Sequence, residues 1–324
     1  DIYLTRRNWS RAIDALTGLA QYAPDDPEIH YRLGLLQALD APQEARGSLA
    51  QVVALDPTYA DDLAPLQETL SMYEESPFDL TYARLGTTYI GLGEWALTDE
   101  ALTRAVSLNP AYGEAVAYLA YARSRLNQPA LAAVQQALAL APQSPTVHYL
   151  AGLIWKQLDR WQEARIEFET AYDLDPTNPA FAVEIAETHR AERAPQWAEI
   201  WLQEAVRLAP NDVRFQILLA QFYVDDEYRV ADVGLPLAEE LVSRWPDNAA
   251  AHDALGWAYF LTGDKARAQT ELRRAHVHLG ILLENMGRTV EAISHYREAA
   301  KLEPDGLYGA YARRTLDRLG ITTP

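Results

Sequence analysis

Residues 145–176 read PTVHYLAGLIWKQLDRWQEARIEFETAYDLDP, and the fold follows from them. Over 145–157 the apolar residues recur at helical spacing, with Ala151-Gly152 on one face and Trp155 one turn on. Asp159-Arg160 make a short turn. Trp161, Ala164, Phe168 and Ala171 then follow at spacings of three and four, which puts them on one face of a second helix. Pro176 closes the unit, because the residue before a proline is pushed out of the α region. The stretch predicts two helices joined by a tight turn.

The same unit extends in both directions along the chain. Pro24 and Pro57 are 33 residues apart, and Pro110, Pro142, Pro176, Pro210 and Pro246 follow at intervals of 32, 34, 34 and 36. Each closes an Ala- and Leu-rich run in a similar phrase: ALDPTYA, SLNPAYGEA, ALAPQSP, DLDPTNP, RLAPNDV, SRWPDNA and KLEPDG. Small pairs recur in the first helices as Leu33-Gly34, Leu85-Gly86, Leu119-Ala120, Ala151-Gly152, Ile185-Ala186, Leu219-Ala220, Leu255-Gly256 and Leu279-Gly280. An aromatic follows one turn later at Tyr89, Trp155, Tyr223 and Tyr259. Small residues open the second helices at Ala12, Ala45, Ala130, Ala164, Ala198, Ala268 and Ala292. Large partners come four residues on, at Leu16, Leu49, Val134, Phe168, Leu202, Leu272 and Tyr296. Two helix backbones that cross closely need a small residue at the crossing and a large one to fill the space beside it.

A unit of about 34 residues with these slots resembles the tetratricopeptide repeat, and the resemblance covers nearly the whole chain. It implies an all-α fold, a right-handed α-solenoid of tetratricopeptide-like helix-turn-helix repeats, in which each repeat buries its apolar face on its neighbours. Three departures subdivide the array. Asp1–Tyr3 fall late in a first helix, so the array starts in mid-repeat, with the second helix at about 9–22 complete. Pro57 and Pro110 are 53 apart, and the surplus stretch 60–75 (ADDLAPLQETLSMYEE) reads as one unpaired helix that should split the array. Pro246 and Pro304 are 58 apart, ten short of two repeats, and no stop lies between Ala275 and His276. That predicts residues missing from the chain at this junction. The expected organisation is an N-terminal sub-array over 1–78, a main array over 79–306, and a capping helix with tail over 307–324.

Composition excludes several function classes. With 28 Lys and Arg against 46 Asp and Glu, the net charge is −18, which opposes phosphate-driven nucleic-acid binding. No run of about 18 apolar residues exists to insert in a membrane. Cysteine is absent, so there are no disulfides, thiolate metal sites or Cys nucleophiles. That composition is compatible with a cytoplasmic or an exported site. Gly91-Leu92-Gly93-Glu94-Trp95-Ala96 loosely matches a dinucleotide loop, but no strand precedes it and it falls on a repeat turn. His276 and His278 are two apart on a helix and point to different faces, against a shared metal. The acidic clusters Asp25-Asp26, Asp61-Asp62, Asp225-Asp226-Glu227 and Glu239-Glu240 lack the alternating ligands of a calcium loop. No hydrolase, metalloprotease or phosphate-loop motif is present. The expectation is a protein with no catalytic residues, no metal and no cofactor.

The resemblance also implies a site. In this family the first helices line a concave groove that takes extended peptides or partner helices. Carried over by position, that face holds Tyr31 and Leu35; Thr87 and Ile90; Tyr121 and Arg125; Tyr149, Leu153 and Lys156; Val183, Glu187 and Arg190; Ile217, Gln221 and Val224; and Trp257 and Phe260. The candidate partner-binding residues are Tyr31, Tyr121, Arg125, Tyr149, Lys156, Arg190, Trp257 and Phe260, since aromatics and Arg dominate binding hot spots. The family's chaperone-tail subgroup grips a terminal carboxylate with paired Asn and Lys or Arg, and the isolated Arg125, Lys156 and Arg190 match that pattern poorly. The partner is therefore a protein, either a peptide or helix in the groove or, alternatively, further copies of the chain joined end to end. For the second, residues 1–20 and 301–324 each carry a charge of +1, so the ends repel each other least.

Overall fold

The computed structural model describes residues 7–73, 78–302 and 307–321. The start of the array at Asp1–Tyr3, the stop at Ser76-Pro77 and the stop at Pro304 lie outside them. Among the described residues the chain is helical throughout and forms an all-α repeat solenoid. Two compact units divide between Asp175 and Pro176.

In the first unit the helices are α1 (Trp9–Tyr22), α2 (Pro27–Gln37), α3 (Pro42–Leu55), α4 (Ala60–Ser71), α5 (Phe78–Gly91), α6 (Trp95–Leu108), α7 (Gly113–Arg125), α8 (Leu131–Leu140), α9 (Pro145–Gln157) and α10 (Trp161–Leu174). The second unit holds α11 (Pro179–Ala191), α12 (Pro195–Leu208), α13 (Val213–Asp225), α14 (Leu235–Arg244), α15 (Ala249–Leu261), α16 (Lys265–Asn285), α17 (Thr289–Leu302) and α18 (Leu307–Arg318).

Polar caps start the first helices where the inter-repeat phrases place them. Asp26, Ser144, Asn178, Asp212 and Asn248 each accept a backbone N–H of the first turn. After α2, whose C-cap Ala38 stays right-handed, the first helices from α5 to α15 are each followed by a residue in the left-handed region, which reverses the chain into the second helix. Gly93 (φ 74°), Asn127 (56°), Asp159 (56°), Arg193 (56°), Glu227 (48°) and Gly263 (93°) occupy that slot in turn. The glycine-rich stretch at 91–96 is thus a repeat turn.

At the crossings, a β-carbon added to Gly34 would lie 2.7 Å from Leu49, at Gly86 2.5 Å from Leu102, at Gly152 2.5 Å from Phe168, at Gly256 2.7 Å from Leu272 and at Gly280 2.6 Å from Tyr296. The small and large slots read from the sequence are therefore in contact, and a side chain added at these glycines would force the facing side chain to move.

The departures from regularity resolve differently from one another. Helix α4 is a single helix between two hairpins, as the surplus length requires. It does not interrupt the core: Leu63, Leu66 and Leu70 of α4 join Leu35, Leu49, Val52, Leu85 and Tyr89 in one buried cluster. The junction where residues are expected to be missing falls inside a helix. Residues 265–285 form one helix that passes through Ala275 and His276. Nothing in RRAHVHLG is a proline or a left-handed residue, so the i to i−4 hydrogen bonds continue. The first half of α16 supplies Leu272 to Gly256, and the second half supplies Gly280 to Tyr296, so one helix serves two repeats. At the C-terminal end α18 lies on α17, with Ala312 and Leu316 fully buried beside Tyr296 and Ala299.

Candidate partner-binding faces

In the first unit the first helices α2, α5 and α7, together with α4, border two cavities. One, of about 620 Å³, is lined by Tyr31 of α2, by Tyr59 and by Asp61, Asp62, Pro65 and Glu68 of α4. The other, of about 380 Å³, is lined by Met72, Leu80, Tyr112, Glu114 and Tyr118. Thr69, Arg84 and Thr87 border both, so Arg84 stands between them. Its guanidinium is half-exposed and lies 4.0 Å from Glu68. The Tyr31 and Tyr59 rings stand 5.6 Å apart, with the Arg32 guanidinium 5.7 Å from the Tyr31 ring centre. Burial, reinforced by the charge of Glu94, pushes the Tyr31 hydroxyl up to about 12, so it is a hydrogen-bond donor at neutral pH.

Two of the other candidates of this unit, Tyr121 and Arg125, contact the neighbouring repeat. Tyr121 meets Trp95 edge-on at 5.7 Å, and Arg125 places its guanidinium 5.0 Å from the same ring, so both tie α7 to α6. Tyr149 lies 5.8 Å from Phe168, across the crossing that Gly152 makes. Lys156 is half-buried on α9.

In the second unit Arg190 of α11 is held by its neighbours. Its Nη2 donates to Asp226 at 2.7 Å, its Nη1 donates to Glu187 at 2.9 Å, and the Phe222 ring lies 5.8 Å away. Trp257 and Phe260 differ from all of these. They are 45% and 49% exposed, and their rings meet edge-on at 5.6 Å.

Part of the expected face is corrected. Leu35 is 1%, Ile217 7% and Val224 6% exposed, so these belong to the core. Leu35 is covered in the cluster that contains α4, and Ile217 packs with Leu241, Ala251 and Ala254. Two features escaped the sequence reading. The α4 side chains Asp61, Asp62 and Glu68 line a cavity, although the surplus helix itself was visible. Asp253 is the other: it stands one turn before Trp257, a spacing that would have found it. It is half-buried, and burial together with the Asp225 carboxylate pushes its carboxyl above the usual range.

Among the described residues no group of three or more His, Asp or Glu is arranged to hold a metal ion. No described helix is long and apolar enough to cross a membrane. Stacked two-helix units with aromatic and charged first-helix faces define an α-solenoid.

Tetratricopeptide repeat models match residues 117–194, residues 1–62 with 231–276, and residues 274–305. The chain belongs to the tetratricopeptide repeat family, whose members generally act as scaffolds for protein interaction. No curated protein matches by sequence. Among solved structures, the Cut9–Hcn1 hetero-tetramer of the APC/C aligns with TM-score 0.51 and 14% identity over 94% of this chain and 58% of that one. Pseudomonas aeruginosa pilF aligns with TM-score 0.50 and 17% identity over 73% and 97%. A tetratricopeptide repeat protein from Parabacteroides merdae aligns with TM-score 0.49 and 15% identity over 73% and 97%. At these identities the likeness is one of fold.

Proposed function

We propose that the chain is a non-catalytic scaffold that seats a segment of a partner protein along its first-helix face. The observation that carries this reading is the pair of cavities on either side of Arg84. They lie side by side, they mix aromatic and charged walls, and their combined size suits several consecutive side chains of a peptide. A solenoid offers a long surface of this kind more readily than a closed pocket. The net charge of −18 would favour encounter with basic partners.

The test is a displayed library of random 12-residue peptides selected on the full chain, with recovered peptides titrated against the wild type and Thr87→Trp. Thr87 borders both cavities, so its enlargement should weaken peptides seated there about tenfold or more. A library that yields no binding peptide would sink the reading.

End-to-end self-assembly has less support. Ala312 and Leu316 of α18 pack on the apolar face of α17, which supports the groove reading over assembly through this face. Light scattering should give a mass near 36.3 kDa at every concentration. A mass that climbs with concentration would restore assembly.

A further inference from the structure

Asp253, Trp257 and Phe260 follow one another on α15 at spacings of four and three, which aligns them in one column on the helix surface. The two aromatics are about half exposed and touch each other edge-on. Large aromatics rarely stand paired in water without a use, because each leaves apolar area that burial would stabilise. Among the described residues Asp253 has no hydrogen bond and no ion pair. Asp225 approaches it from α13, which packs on α15. The nearest cation to Asp225 is Arg190, at 3.6 Å, and that guanidinium is already engaged by Asp226 and Glu187. A half-buried carboxylate, Asp253, and an exposed one, Asp225, therefore share one neighbourhood with less than one cation between them, and desolvation raises both carboxyls. Carboxylates in that state are stabilised by an incoming cation that brings its own hydrogen-bond donors.

Resting on the scaffold reading, we propose that this column docks a partner-protein segment that sets a Lys or Arg side chain between Asp253 and Asp225 and lays an apolar side chain across Trp257 and Phe260. Charge complementarity selects this occupant. A divalent metal would need several more oxygen ligands than two carboxylates supply, and a nucleic acid would meet the wrong sign of charge. A guanidinium or ammonium also gains from the ring faces next to the carboxylates.

The same displayed 12-residue library tests the site. Peptides recovered on the full chain are synthesised and titrated by calorimetry against the wild type, Trp257→Ala, Asp253→Asn and Thr87→Trp. Each is also made with its Lys or Arg replaced by norleucine. A class of peptides is expected that carries Lys or Arg within a few residues of an apolar side chain and weakens about tenfold or more on Trp257→Ala. For that class norleucine should lower affinity about tenfold in the wild type and much less in Asp253→Asn, a coupling of about 1.4 kcal/mol. Asp253→Asn removes a charge without removing volume, so it reports on the site even if Trp257→Ala folds poorly, and circular dichroism checks both variants. Peptides that bind equally well to Trp257→Ala and Asp253→Asn would overturn the site. If those same peptides weaken on Thr87→Trp, the scaffold reading stands and only this column falls. If the library yields no binders, both fall.

Discussion

Gly152 lies against the ring of Phe168 so closely that a β-carbon on Gly152 would sit 2.5 Å from Cε1 and 2.6 Å from Cδ1. No side-chain carbon tolerates that distance, and Phe168 is fully buried, with Tyr149 packed 5.8 Å from its ring. Helices α9 and α10 must therefore separate, or the ring must leave its rotamer, when any side chain is added. Gly152→Ala should lower stability by about 1–3 kcal/mol, and Gly152→Leu by more. Gly256→Leu should behave similarly, since the obstructing atoms at Leu272 include a backbone nitrogen at 3.0 Å. Thermal unfolding followed by circular dichroism reads the effect. An unchanged melting temperature in both Leu variants would refute the register of the repeat.

His148 receives two acceptors, one at each ring nitrogen. Nδ1 lies 2.6 Å from Glu167 and Nε2 lies 3.1 Å from the Pro142 carbonyl. Only the doubly protonated ring donates to both, and the Glu167 bond raises the His148 pKa. A raised histidine pKa gives stability that is fully present below about 6.5, the unfolded value, and that is lost as pH rises through the folded value. Glu167→Gln should therefore cost about 1–2 kcal/mol at pH 6 and clearly less at pH 9. Denaturant titrations at the two pH values decide it, and an equal loss at both would rule out the charged pair.

The periodic parts of this fold were open to reading because each slot has one physical requirement. Gly34, Gly86, Gly152, Gly256 and Gly280 stand where helices cross, and a crossing admits only a small residue, glycine here and alanine at Ala120, Ala186 and Ala220. Periodicity gives a residue's angle on its helix, but not what later covers it. Leu35 has the angle of a groove residue and is buried, because it shares a cluster with Leu63 and Leu66 of α4, a helix outside the repeat pattern. Tyr121 and Arg125 have the angle too, yet they are spent on Trp95. Arg190 is similarly taken by Asp226. Trp257 and Phe260 kept their exposure, while the Asp253 carboxyl beside them went unnoticed because an isolated Asp on a helix usually faces water. The junction at Ala275 and His276 is a different case. A count of residues between prolines registers a deficit but cannot say whether the backbone breaks or fuses two helices.

Asp253 should cost the fold stability. Its pKa is raised by burial first and by Asp225 second. An acid whose folded pKa is raised is ionised more readily in the unfolded chain, so stability falls as pH climbs from about 3.9, the unfolded value, through the folded value, and the deficit persists above it. Asp253→Asn is expected to raise the melting temperature by about 1–3 °C at pH 7 and to leave it unchanged at pH 3.5. A fall at pH 7 would mean that the carboxylate has a stabilising role in the isolated chain.

His276 and His295 present the opposite case to His148. They occupy the same two slots as His148 with Glu167 and as His252 with Glu271, nineteen residues apart in each pair. Here, however, imidazole faces imidazole, with Nδ1 to Nδ1 at 3.1 Å. One nitrogen can donate only while the other is unprotonated, so a second proton sets two N–H groups against each other. Burial, and then the neighbouring His295, lower the His276 pKa, while Glu298 of α17 pulls the other way. His278 is lowered as well, by burial and by His252 of α15, against the pull of Asp247; Arg274 adds to the lowering and Tyr308 of α18 lies alongside. On the far side of the pair Glu291 faces His295. A lowered histidine pKa gives stability that is present above about 6.5 and lost as pH falls through the folded value. Acidification from pH 7.5 to 5.5 should therefore loosen the packing of α16 on α17. His295→Glu restores the partner used in the two equivalent slots and should remove that part of the acid sensitivity. The measurement is the difference in melting temperature between pH 7.5 and 5.5, which should be smaller in His295→Glu than in the wild type by about 2–4 °C for each kcal/mol of repulsion relieved. An identical difference in the two proteins would show that the imidazole pair carries no acid response.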